Sequence, residues 1–314
     1  MTEPVDHALP PMPTAVAAWQ AEGETVDVGG QEIFVVDSGS GSGAGSGATA
    51  MDEPVLVLLH GFPGSSFDWH HIVPALVGEW RVLTFDFLGF GLSAKPRDVR
   101  YSLFAQADLA ERLLADRGVT KATLVAHDMG DTVAAELLIR GAEGRAGVGW
   151  DGCVLTNGSI FIDQAQLTAG QQALLALPDE PLAEPLGAEG LRAGMAASFP
   201  PGRPSSGELD AMVWLNQLAG GDLLLPRLIR YIEERRQHQP RWTAALRDYP
   251  GPLVAAWGDL DPIAVPAMAD RLGGLRDETG NPVEVIHWPD VGHWPSVETP
   301  DLVAGLITDC ANRW

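Results

Sequence analysis

The chain is poor in cysteine, tyrosine and basic residues. Its 314 residues include two cysteines and three tyrosines, and 20 Lys and Arg stand against 42 Asp and Glu. Cys153 and Cys310 have no metal-ligand spacing and cannot form a disulfide framework. Both read as packed thiols of a reducing compartment, so the expected location is cytoplasmic. The formal net charge of −22 repels the phosphates of nucleic acid and anionic lipid, and neither is an expected partner. No run of about 18 apolar residues is present, so no membrane span is expected. The stretch from Met1 to Ala21 is acidic and Pro-rich. It lacks the basic start and apolar centre of a secretion signal. None of the histidines forms a His-x-x-x-His pair, and no metal or cofactor is expected. His70, His71 and His238 read as solvated on polar helix faces, and His287 as packed within a strand.

What is present is a hydrophobic share of 46%, enough for one large core with a lid. Glu24–Val28 and Glu32–Val36 alternate around Gly29-Gly30 as a β-hairpin. Ser38–Ala50 is almost all Gly, Ser and Ala and reads as a surface loop. Short apolar runs follow at Val55–Leu59, Val82–Phe85, Ala122–Ala126, Cys153–Thr156, Leu253–Trp257 and Val283–His287. Helical patterns separate the first four, at Trp69–Val77, Ser102–Ala115 and Thr132–Arg140. This alternation predicts an α/β protein with a doubly wound, mostly parallel, eight-stranded sheet. Between about Ile160 and Asp248 no strand is visible. Pro-rich turns and helical segments at Glu208–Leu218 and Leu224–Gln237 read as a helical cap inserted after strand six. The expected division is core 1–159, cap 160–248 and core 249–314. In such sheets ligands bind beyond the C-terminal strand ends.

Four segments carry the chemistry. In Ala126-His127-Asp128-Met129-Gly130 an apolar strand runs through a small residue, a candidate nucleophile and a glycine into a helix. Small flanking residues suit a turn too tight for larger ones, and the helix N-terminus favours an anion. Aspartate is also a common helix cap, so Asp128 alone decides little. Leu59-His60-Gly61-Phe62-Pro63 ends a strand in a Gly/Pro loop, which places backbone donors at Phe62 and Met129 as an oxyanion hole. His60 reads as a brace of that loop. Gly258-Asp259-Leu260-Asp261-Pro262 delivers an acid after a strand. Asp261 is preferred for its spacing, with Asp259 the alternative turn-former. Gly292-His293-Trp294 supplies a loop histidine, completing the order nucleophile, acid, histidine.

With these residues and with Asp86 to Pro96, Leu155 to Phe161 and Arg230-Tyr231-Ile232, the chain resembles the α/β-hydrolase superfamily. Within it, the epoxide hydrolase and haloalkane dehalogenase branch is the nearest in pattern. Bacterial relatives of the mesoderm-specific transcript protein are nearer still. The resemblance runs from about Glu24 to the C-terminus and implies the α/β-hydrolase fold. It also implies that Tyr231, as a cap tyrosine, donates a proton to an epoxide oxygen. The second cap tyrosine of epoxide hydrolases has no counterpart here. Met129 stands where dehalogenases carry a halide-binding Trp.

The implied reaction is covalent. An aspartate carboxylate, ionised at neutral pH, attacks an sp3 carbon; His293, oriented by Asp261, then activates water against the resulting ester. The expected substrate is a small apolar electrophile, opened from epoxide to vicinal diol, with water as co-substrate. Trp69, Phe161, Trp214 and Trp294 are candidate pocket walls, although large aromatics also bury themselves without function. The alternatives are a haloalkane dehalogenase, with Trp214 offering an N–H to halide, and a catalytically weak ligand-binding or interaction protein on the same fold. An ordinary esterase lacks its serine at position 128. A homodimer is allowed.

Overall fold

The computed structural model describes residues 9–39, 54–145 and 147–314. Ser40–Ala50 of the predicted loop lies outside the described residues. Eight strands form one sheet: β1 Glu24–Asp27, β2 Glu32–Asp37, β3 Val55–Leu59, β4 Arg81–Phe85, β5 Lys121–His127, β6 Gly149–Thr156, β7 Leu253–Gly258 and β8 Val283–Trp288. Their spatial order is β1-β2-β4-β3-β5-β6-β7-β8. The β1–β2 and β2–β4 pairs are antiparallel and all others are parallel. The hairpin turns at Gly29 and Gly30, whose φ values of 66° and 88° suit glycine.

Helices cover both faces, so the central strands are apolar throughout rather than alternating. Val55 to Leu59 and Leu253 to Gly258 are buried at every position. Cys153 and Cys310 are free, buried thiols. No helix among the described residues is long and apolar enough to cross a membrane.

Several elements depart from the sequence expectation. Trp69–Val77 is not one helix but a 3-10 turn at Ser66–Trp69 followed by a single turn at Val73–Leu76, where Pro74 lies at the start. A helix at Thr14–Ala21, unforeseen in the acidic leader, buries Val16 and Trp19. The Trp19 indole donates to Ser66 Oγ at 3.2 Å.

Between β6 and β7 the chain forms helices at Ala169–Ala176, Ala188–Ala196, Ser206–Gln217, Leu225–Leu228 and Tyr231–Asp248. The single helix expected over Leu224–Gln237 is broken between Leu228 and Tyr231. Its second part runs on through Pro240, because Trp242, Ala245 and Leu246 continue the buried face beyond the proline. That burial outweighs the missing N–H.

Candidate active site

Asp128 ends β5 and precedes the helix Met129–Ala142. Its φ of 48° and ψ of −107° are strained for a residue with a Cβ. Close packing around it explains the small neighbours. A Cβ on Gly130 would lie 2.6 Å from the Leu59 carbonyl oxygen, and one on Gly61 would lie 2.7 Å from Asp128 Cβ. The Asp128 side chain makes no capping bond to the helix it precedes. Its Oδ2 accepts the Phe62 N–H at 2.9 Å instead. Met129 follows as the first helical residue and is buried.

The acid and the histidine meet. His293 Nδ1–H donates to Asp261 Oδ2 at 2.8 Å. The other oxygen, Oδ1, accepts the N–H groups of Ile263 at 2.7 Å and Ala264 at 3.0 Å. Asp259 is placed elsewhere. It pairs at the surface with His287, which also reaches Asp270. His287 is therefore an exposed ion-pair partner rather than a packed strand residue. It lies on β8, the last strand of the sheet, where the neighbouring side is open.

Burial opposes charge on His293, but the adjacent Asp261 carboxylate, with Asp128 and Glu298, outweighs it. The ring's pKa lies above its ordinary value. His127 is pushed the other way, to about 4, by burial and by the neighbouring His293. Its Nε2–H donates to the His293 carbonyl at 2.7 Å, so a neutral ring fixes the backbone of the loop. His60 is held neutral, at about 3, chiefly by burial. Its two nitrogens bond Gly61 O and Phe87 N–H at 2.9 Å each, which is the loop-brace arrangement.

Three residues of this site carry no strong local signal. Asn157, at φ 50° just past β6, donates to Asp261 Oδ2 at 2.8 Å and to the Gly292 carbonyl at 3.2 Å, and accepts the Gly258 N–H at 3.0 Å. It ties three strand ends together. Glu298 accepts the N–H groups of Gly292 at 2.7 Å and Trp294 at 2.9 Å, fixing the histidine loop from below. Arg235, only 2% exposed, donates to the Asp128 carbonyl at 2.7 Å and to Thr132 Oγ1 at 2.8 Å. Its Nη1 stands 3.6 Å from Asp128 Oδ1. Only the four-residue step from Tyr231 hinted at it, since positions i and i+4 share a helix face. Arg235 lies 4.7 Å from the centre of the Tyr231 ring.

Tyr231 is buried and 5.4 Å from the Phe62 ring, centre to centre. Burial and the Asp128 charge push its phenol well above the ordinary tyrosine range. Asp131, on the first turn after Asp128, is driven up by burial, and Asp128 adds to that effect.

A cavity of about 290 Å³ opens between the cap helices and the strand ends. Phe62, Ile263, His293 and Trp294 line it from the core, and Leu174, Leu191, Met195 and Leu225 from the cap. Of the four candidate aromatics, Trp294 lines this cavity. Trp69, Phe161 and Trp214 do not, because each is used in packing. Trp69 is wholly enclosed in the core. Phe161 lies 4.2 Å beneath the Arg271 guanidinium. Trp214 spends its indole N–H on the Pro10 carbonyl at 2.9 Å. Tyr231 and Met129 line a second, much smaller void with Phe90 and Leu228.

Residues 56–306 match the alpha/beta hydrolase family. LipZ of Mycobacterium tuberculosis is 40% identical over 256 residues, covering 81% of this chain and 86% of that protein. The mesoderm-specific transcript protein of Mus musculus is 34% identical over 305 residues, covering 94% and 87%. A solved alpha/beta hydrolase fold protein from Burkholderia ambifaria superposes with a TM-score of 0.70 at 22% identity, covering 91% of this chain and 99% of that one. The pairing of His293 with Asp261 at the strand ends, the bend at Asp128 and this match over most of the length agree: the chain belongs to the alpha/beta hydrolase family.

Proposed function

We propose that the protein is a hydrolase with Asp128 as nucleophile, and that it opens a small apolar epoxide to a vicinal diol. The observation that carries this reading is the aspartate at the strained strand-to-helix bend. It is held by the Phe62 N–H and makes no capping bond, while the Asp261–His293 pair stands at the neighbouring strand ends. A carboxylate placed so attacks carbon to give an ester. The neutral form of His293, oriented by Asp261, takes a proton from water, and the hydroxide attacks the ester carbonyl of Asp128. The Phe62 and Met129 N–H groups stabilise the oxyanion, each by roughly 3 kcal/mol.

Tyr231 supports the epoxide assignment. It is held in the neutral, donating form by burial and by the Asp128 charge. A phenol donates to an opening oxygen without adding charge to an apolar space. Halide release has weaker support, since the Trp214 N–H is bound to Pro10 and the Trp294 N–H to Ser198 at 2.7 Å. The cavity wall is mostly aliphatic and aromatic, which suits an uncharged substrate.

Purified protein given styrene oxide, a bromoalkane and an aryl ester in parallel tests the assignment. Diol formation, abolished in Asp128→Asn and slowed in Tyr231→Phe, is expected. Bromide release without diol would transfer the assignment to dehalogenation.

A further inference from the structure

A second cluster lies outside the cavity that His293 and Trp294 line, on the seam between core and cap. His70 and His71 follow the 3-10 turn Ser66–Trp69, and Glu208 comes from the first turn of the cap helix Ser206–Gln217. One ligand atom from each of the three lies within 4.8 Å of the others. His70 Nε2 is 3.6 Å from Glu208 Oε1, and His71 Nε2 is 3.5 Å from Glu208 Oε2. The two rings sit 3.8 Å apart, and His70 stacks on Phe67 at 4.0 Å. His70 is enclosed between Phe67 and His71, whereas His71 is exposed on its outer side, as expected of a solvated histidine.

The hydrogen bonding of His70 exposes the problem this cluster has to solve. Its Nδ1 is 2.7 Å from the Phe67 carbonyl oxygen. A carbonyl only accepts, so Nδ1 carries the proton, and in the neutral ring Nε2 is left with a bare lone pair. That lone pair is next to Glu208 Oε1, a buried oxygen with no hydrogen-bond partner. Two acceptors brought together repel unless an electrophile stands between them.

We propose that His70, His71 and Glu208 bind a zinc ion that clamps the cap helix to the core. Two imidazole nitrogens and one carboxylate are a donor set that suits zinc better than calcium or magnesium, which prefer all-oxygen shells. Ligands about 2.0–2.1 Å from a tetrahedral ion stand about 3.3–3.4 Å from one another; each histidine already stands 3.5–3.6 Å from one oxygen of Glu208, and the three ligand atoms need close only from within 4.8 Å. Three protein ligands leave the fourth position to water. A polar groove supplies that water: it is lined by His71, Glu208, Arg203, Ser205 and Asp301. Its wall also includes Glu298, the residue that fixes the histidine loop.

The test uses the full-length, tag-free chain, dialysed against chelator and then titrated with zinc chloride. One zinc retained per chain after desalting is expected, with a zinc-dependent rise in Tm because the ion binds only the folded state. Glu208→Gln and His71→Ala should each weaken binding by more than about tenfold. They should also remove the zinc-dependent rise in Tm, while His287→Ala retains both. Cobalt substitution offers a readout on the unmutated chain, with strong visible bands of a four-coordinate ion expected. No retained zinc would overturn the proposal and would leave a proton shared between His70 and Glu208 as the electrophile. Equal binding by Glu208→Gln and the unmutated chain, or only the weak bands of six-coordinate cobalt, would also overturn it.

Discussion

His293 is a buried imidazole whose protonation sets the second half of the proposed reaction. Its pKa is raised, and only the neutral ring can accept a proton from water. Turnover should therefore fall as pH drops through a value above the ordinary imidazole pKa of about 6.5. Asp261→Asn removes the main charge that raises it, so the acidic limb of the rate profile should move to lower pH while the rate at its plateau also drops. A limb that stays in place in the Asn variant would show that another group titrates. Legibility at this scale follows the range of the signal. Asp128, Asp261 and His293 sit in short motifs whose glycines are needed by the turns themselves, and each motif is contiguous. Arg235, Asn157 and Glu298 were not legible as site residues, since their partners lie 107, 104 and 6 positions away and no spacing marks them. The His70, His71 and Glu208 cluster is hidden for the same reason. A search for paired histidines on one helix misses ligands brought from two different elements.

At the level of elements, the strands were the easier part. A strand covered on both faces is apolar without interruption, and the central runs stand out against their neighbours. The cap was harder. Its breaks depend on packing, as with the helix that persists through Pro240 because Trp242 and Leu246 are buried beyond it. Large aromatics misled for a related reason: Trp69, Phe161 and Trp214 are as apolar as a pocket wall but fill packing positions. The bend between β5 and its helix is a tight junction, and Gly130 allows it. Gly130→Ala would bring a Cβ to 2.6 Å from the Leu59 carbonyl and 2.8 Å from the His60 carbonyl, both backbone atoms. Overpacking of this kind costs roughly 1–3 kcal/mol. Chemical denaturation of the variant should show at least that loss, and an unchanged midpoint would mean that the bend is looser than described.

Over the whole molecule, the N-terminal segment is a strap across core and cap. Val16 and Trp19 are buried, Trp19 bonds Ser66 in the core, and the Pro10 carbonyl accepts the Trp214 indole of the cap. Burying side chains of this kind stabilises by about 1.5–3 kcal/mol each. Removing residues 1–21 should lower Tm by several degrees and free the Trp214 N–H, which thermal unfolding and indole fluorescence would report. Equal Tm values would show that the strap adds nothing.

The central claim is that a carboxylate becomes covalently bound to substrate and is released by the histidine. Intact-mass spectrometry of His293→Gln mixed with styrene oxide tests it directly. The account predicts a stable gain of one substrate mass, localised by peptide mapping to Asp128 and absent from Asp128→Asn. A folded His293→Gln protein that never gains this mass, while the unmutated enzyme turns the epoxide over, would contradict it.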